Sequence, residues 1–259
     1  MDDFDLSELN NSQKSQSGLV KDKGKSSSER IVLTSRDYKV LRYVLEMKFA
    51  STDRLFDRYF KTTSLGIEAT SPEFMRRRLL ALEQEGLITR FKGHLQRGFY
   101  YLATNKTRKV LMDHNPSGFF PKPKTEIAFN TFRHDLMLQD CMKEFEETLK
   151  IRSWISENSL RSILMRDFQI TPRFCPDGMY ELPTGELIAF ELEIAVKDRS
   201  RYREKPSKLA RYIDQFRDDP RMFQRVHFRC TSKQVYRLID RDACLWPNLF
   251  KIELVDQSP

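Results

Sequence analysis

Three acidic residues and a lysine fall at spacings that suit the binding of a divalent cation. Asp177 stands between Pro176 and Gly178, and Glu191-Leu192-Glu193 follows on a later apolar run, with Lys197 just beyond. Side chains alternate along a strand, so Glu191 and Glu193 share one face while Phe190, Leu192 and Ile194 take the opposite, buried face. Asp177 belongs on a neighbouring antiparallel strand. Carboxylates brought together in this way repel unless a cation lies between them. Oxygen-only ligands suit magnesium, which keeps several of its waters. Asp177, Glu191 and Glu193 are therefore candidate metal ligands with Mg2+ as the candidate cofactor, and Glu157 is a further acid. Two plainer readings stay open. The carboxylates could pair with Arg199, Arg201, Arg203, Lys205, Lys208 and Arg211 of the following helix, or stand on a solvent-facing strand surface.

A second group is basic. Arg76, Arg77 and Arg78 lie in a helix pattern that runs from Ser71-Pro72 to Gly86. Residues 31–115 hold 16 Lys and Arg against 9 Asp and Glu, a surplus of 7 in a chain whose net charge is +8. Cations that neutralise phosphates release counterions, so one small basic unit of this kind suits duplex DNA. The three arginines span about 200° of the helix, so at least one must point away from the core. An arginine in the major groove can pair bidentately with guanine, and one at its edge can hold phosphate. Lys92, His94, Gln96 and Arg97, on the turn that follows, could reach the minor groove or the backbone. The plain alternative is a solvated charged face.

Other chemistry finds little support. Cys141, Cys175, Cys230 and Cys244 are isolated, which reads as reduced thiols. His134 has no serine or cysteine placed as a nucleophile and reads as a buried or capping histidine, with a hydrogen bond between domains as a further reading. His94, His114 and His227 suggest no zinc site. Nine glycines form no phosphate-binding loop. Trp154 and Trp246 read as core or domain-contact residues. No apolar run approaches the roughly 20 residues of a membrane span, and the acidic start lacks the features of a secretory signal. A cytoplasmic protein without a membrane partner is the expectation.

The elements that must position these groups follow from periodicity. Residues 1–30 are polar and read as a disordered leader. Thr34 caps a helix carrying Tyr38, Leu41, Val44 and Leu45, and Ser51-Thr52-Asp53 caps a second carrying Leu55, Phe56, Tyr59 and Phe60. In the third helix Ser71 is the cap, Pro72 the first position, and Phe74, Met75, Leu79 and Leu82 face the core. Strands at 87–92 and 98–103 and a helix from Thr104 to about Asp113 complete a winged helix-turn-helix over 31–115. A linker spans 116–125. Residues 126–259 read as helix 126–150, strands 151–156, 177–182 and 186–195, helix 199–216, strand 225–230, helix 233–240 and strand 250–255. The fold class is α+β, with an α/β second domain built on a mixed sheet.

In their order, several stretches resemble the replication-relaxation family of bacterial plasmid and mobile-element proteins. They are Leu33-Thr34-Ser35-Arg36-Asp37-Tyr38-Lys39-Val40-Leu41, Arg77-Arg78-Leu79 through Glu85-Gly86-Leu87-Ile88, Gly98-Phe99-Tyr100-Tyr101-Leu102, Arg133-His134-Asp135-Leu136, Trp154-Ile155-Ser156-Glu157, Pro176-Asp177-Gly178, Glu191-Leu192-Glu193, and Tyr202 through Lys208-Leu209-Ala210-Arg211-Tyr212. The resemblance implies an accessory protein of replication or mobilisation. It would dock on double-stranded DNA and contact a replication or DNA-transfer protein; a homodimer is open. The second half is also similar in layout to the PD-(D/E)xK (restriction-endonuclease-like) nuclease fold, in which an Asp and a Glu hold magnesium and a Lys two residues after the Glu activates water. Asp177 and Glu191 match. Glu193 stands where that lysine would be, with Lys197, Lys205 or Lys208 near enough to substitute. With Glu193 in that position the resemblance points to a non-catalytic, DNA-clamping or protein-contacting version, with a metal-dependent endonuclease or nickase as the alternative; a separate third reading is a transcriptional regulator whose second domain senses a ligand or dimerises.

Overall fold

Thr34 begins the first helix by a reciprocal cap. Its Oγ1 accepts the Asp37 N–H at 3.3 Å and its own N–H donates to Asp37 Oδ2 at 2.6 Å, which satisfies two of the backbone donors a helix start leaves open. Helix α1 (Ser35–Glu46) then buries Val40, Leu41, Val44 and Leu45. Strand β1 (Ala50–Ser51) follows, and Ser51 caps α2 (Thr52–Leu55) by accepting the Arg54 N–H. That helix continues as a π-helical turn over Phe56–Phe60. Helix α3 (Glu73–Gln84) starts one residue later than expected. Pro72 occupies the cap, and Ser71 Oγ accepts the Glu73 N–H at 3.2 Å. Gly86, at φ +67°, ends it with a left-handed residue.

Strands β2 (Ile88–Lys92) and β3 (Phe99–Ala103) form an antiparallel hairpin, and β1 adds to β3, giving the order β1-β3-β2. The two-residue β1 is too short to show as a period in the sequence. Helix α4 (Asn105–His114), capped by Thr104, packs back on α1.

Helix α5 (Phe129–Thr148) precedes a five-stranded sheet ordered β4-β5-β6-β7-β8. The strands are β4 (Ser153–Ser156), β5 (Gly178–Glu181), β6 (Leu187–Glu193), β7 (Arg225–Cys230) and β8 (Phe250–Leu254). β4, β5 and β6 pair antiparallel, whereas β6, β7 and β8 pair parallel. Helix α6 (Glu157–Asp167) fills what reads in the sequence as a connection. Helices α7 (Lys208–Asp218) and α8 (Lys233–Ala243) follow β6 and β7. One sheet face packs Ile188, Phe190 and Leu192 against Leu138, Cys141 and Phe145 of α5. The other packs Ala189, Val226 and Phe228 against Leu209, Tyr212, Val235 and Ile239. β6 is therefore covered on both sides, unlike the half-open strand expected.

The computed structural model describes residues 31–62, 66–69, 71–93, 98–167, 175–194, 208–218 and 223–255. It is a mixed α+β structure, and Ile31–Pro259 forms one compact unit. Helix α5 also meets the first half of the chain: Phe132 stacks on Phe49 at 4.9 Å, and Gln139 donates to the Phe49 carbonyl at 2.9 Å.

Candidate functional site

The basic helix comes first. Met75, Leu79 and Leu82 are buried and fix the inward direction of α3. At 100° per residue Arg77 lies almost opposite that direction and Arg76 to one side. Both are exposed. Arg76 comes within 3.8 Å of Glu73, and no ion pair of the described residues includes Arg77.

Arg78, expected with them on the DNA side, turns inward. Its Nε donates to Asp37 Oδ1 at 2.8 Å and its Nη2 to the Val32 carbonyl at 2.7 Å. Asp37 is 1 % exposed. Burial would raise its carboxyl, but the hydrogen bonds from Arg78 and Thr34 outweigh that and hold it below the usual range. Arg78 thus fixes α3 to the start of α1, and the carboxylate that caps one helix also orients the next.

Phe74 departs from expectation in the opposite sense. It is 59 % exposed, because its position is about 100° from Met75, off the inward stripe.

On the hairpin, Lys92 is exposed at the end of β2. Arg90 lies 4.6 Å from the Phe99 ring and 3.5 Å from Glu83. Gly93 allows the strand end to approach Tyr100, whose ring would lie 2.0 Å from a Cβ there. His94, Gln96 and Arg97 lie outside the described residues, as do Lys197 and Lys205.

The carboxylates are gathered, but not on open ground. Glu191 and Glu193 are only 2 % and 8 % exposed. Tyr212 of α7 donates its hydroxyl to Glu191 Oε1. Burial, then the Glu191 charge, pushes that phenol well above its ordinary range. Asp177 Oδ2 accepts the Leu192 N–H at 2.8 Å and lies 3.2 Å from His134 Nε2. Glu157, Glu191 and Asp177 all surround Cys175, whose thiol is pushed up to about 12 by burial first, with Arg161 pulling the other way.

Protein cations interleave with these acids. Arg161 reaches Glu157 at 2.9 Å, Lys48 reaches Glu157 at 3.3 Å and Asp135 at 2.8 Å, and His134 Nδ1 lies 3.7 Å from Asp135. The result is a chain of alternating sign: Arg161, Glu157, Lys48, Asp135, His134, Asp177. Burial alone would lower His134, yet Asp135 and Asp177 outweigh it and push its pKa up to about 10. Lys48 enters the chain from two residues past the end of α1, in the left-handed backbone region at φ +70°, a conformation unusual for a residue with a Cβ.

This arrangement bears directly on the expected metal set. Among the described residues no group of three or more His, Cys, Asp and Glu side chains is placed to hold a metal ion. Asp177, Glu191 and Glu193 therefore do not converge as the three-carboxylate set that strand alternation suggested. Donors meet two of them one by one: His134 and the Leu192 N–H at Asp177, and the Tyr212 hydroxyl at Glu191.

Spacing alone could not find Lys48, Arg161 or Tyr212, which reach the cluster from elements distant in sequence. Gly178 has a steric reason: a Cβ there would sit 2.5 Å from the Trp154 ring. That makes Trp154 a core residue, whereas Trp246 is half exposed. None of the four cysteines forms a disulfide. No helix among the described residues is long and apolar enough to cross a membrane.

Set beside protein-family models, curated proteins and solved structures, the chain matches none of them.

Proposed function

We propose that the chain docks on duplex DNA through a winged helix formed by α1 to α4 and the β2–β3 hairpin, with α3 as the helix that enters the major groove. The observation that carries this reading is the pair Arg76 and Arg77, exposed on a helix whose opposite face is locked into a core and whose third arginine anchors it to α1. Exposed Lys92 on the adjoining hairpin extends the basic surface. The surplus of basic residues in 31–115 supplies the phosphate-neutralising charge such docking needs.

In this reading the second half, α5 and the mixed sheet, is a nuclease-like domain that clamps DNA or recruits a protein. The interleaved cations of the carboxylate chain, and Glu193 in place of a lysine, favour that over cleavage. The setting, replication or mobilisation of a plasmid or mobile element, rests on the motif resemblance alone.

The test is a titration of fluorescent duplex at several salt concentrations, run beside supercoiled plasmid with magnesium, manganese or EDTA. Binding that weakens steeply with salt, by a log–log slope near −0.9 for each phosphate contact, is expected. Arg76→Ala with Arg77→Ala should make the slope shallower by about two such contacts. A slope that does not change would sink the assignment of α3. Nicking that requires metal and disappears in Asp177→Ala would replace the accessory reading with an endonuclease.

A further inference from the structure

The outward face of α3 carries more than charge. Phe74 is 59 % exposed and Leu80 46 %. Relative to the inward stripe of Met75, Leu79 and Leu82, Arg77 points outward, and Phe74 and Leu80 flank it by about 60° on either side. Phe74 precedes Arg77 by three residues, a rise of about 4.5 Å along the helix axis, so the two side chains are near neighbours on the outward face. Phe74 also lies in the first turn of α3, whose first residue is Glu73. The first residues of a recognition helix are the ones that meet base edges. Its ring is steadied by Phe60, centroid to centroid 6.2 Å. The apolar group is therefore presented in a defined place.

The one acid on this part of the face, Glu73, is drawn toward Arg76 at 3.8 Å, which reduces its opposition to the phosphates. An exposed aromatic beside an arginine that makes no ion pair among the described residues is also the kind of surface a protein partner uses. The charge around it favours a polyanion.

Resting on the assignment of α3 as the groove-entering helix, the geometry points to a base preference. Arg77 takes the O6 and N7 of a guanine, and Phe74 packs on the 5-methyl group of a thymine in the adjoining base pair. The chemistry is specific to the major groove, the only groove in which the thymine methyl is displayed. Phe74 is thus a specificity-determining residue. Leu80 closes the other side of Arg77 and excludes water from the guanine contact.

The experiment starts from duplexes that the wild-type chain retains from a randomised pool. In the retained sequence each thymine is replaced in turn by uracil, which removes only the methyl, and each guanine by adenine. The expected result is one guanine whose loss weakens the wild type but not Arg77→Ala, and one adjoining thymine whose change to uracil weakens binding about fourfold, the ratio given by one buried methyl-sized group. That thymine effect disappears in Phe74→Ala and is partly kept in Phe74→Leu. Binding indifferent to uracil at every position overturns the role of Phe74 and leaves DNA docking standing. An equal loss on all duplexes in Phe74→Ala overturns it as well. Failure to retain any duplex overturns both this preference and the docking itself.

Discussion

Helix α3 and the sheet of the second half handle charge in opposite ways. On α3, Arg76 and Arg77 are left on the surface, one with a distant partner and the other with none among the described residues. Around β5 and β6, acid and base alternate from Arg161 through Lys48 to Asp177; Asp135 at the middle of the chain is buried and the other members are half-buried. The first arrangement leaves its charge in solvent. The second has already committed it within the fold, at a desolvation cost that only good geometry offsets. A residue's type therefore says little about its role until its partners are known. Arg78, one position along from Arg77, belongs with the second group.

The contrast can be broken most forcefully at Asp135. It is 4 % exposed and joins Lys48 to His134, so Asp135→Ala should destabilise the fold by about 1.5–3 kcal/mol, the range for hydrogen bonds to charged groups, with Lys48 keeping Glu157 and His134 keeping Asp177. Chemical denaturation reads this directly, and a loss below 1 kcal/mol would mean the chain of charges is not committed to stability.

The next effect is a pH dependence. His134 ordinarily titrates at 6.5 and is raised to about 10 in the fold. Its contribution is complete below its unfolded value and is lost as pH rises from there toward about 10. Stability of the wild type should then fall between those limits by as much as about 1.4 kcal/mol per pH unit, and His134→Gln should remove this part of the slope. A wild-type curve flat from pH 7 to 9.5 would contradict the protonated imidazole.

Gly178→Ala should cost about 1–3 kcal/mol, since the new methyl overlaps Trp154 and the core must shift. Unchanged thermal denaturation would show that Trp154 can move aside.

The smallest expected effect sharpens the comparison within one helix. Arg77→Ala should leave the unfolding midpoint within about 0.5 kcal/mol of wild type while lowering DNA affinity. Arg78→Ala should lower stability by about 1–3 kcal/mol through the unpaired Asp37. If both variants fell equally in stability, the distinction between a docking and an anchoring arginine would be lost.

The sequence itself determined most of the helices and strands, because their signals are local, while helix α6 reads there as a connection. The capping box of Thr34 and Asp37, the period of Val40, Leu41, Val44 and Leu45, and the stop at Gly86 act within one or two turns. The run from Leu187 to Glu193 reads as a strand from its own residues. The mixed α+β class follows from the order of such elements. Even the outward direction of Arg77 was legible, had the inward stripe been drawn through Met75, Leu79 and Leu82 without Phe74.

Only the tertiary structure decided which charges were spent. Lys48 meets Asp135 across 87 positions, and Arg78 meets Asp37 across 41. No local period encodes such pairs. Burial of β6 on both faces turned Glu191 and Glu193 from candidate surface ligands into residues beneath helices, because helices closed over a sheet that alternation alone left half open. Local free energies choose the elements, while the partners of a charge are chosen by how those elements pack.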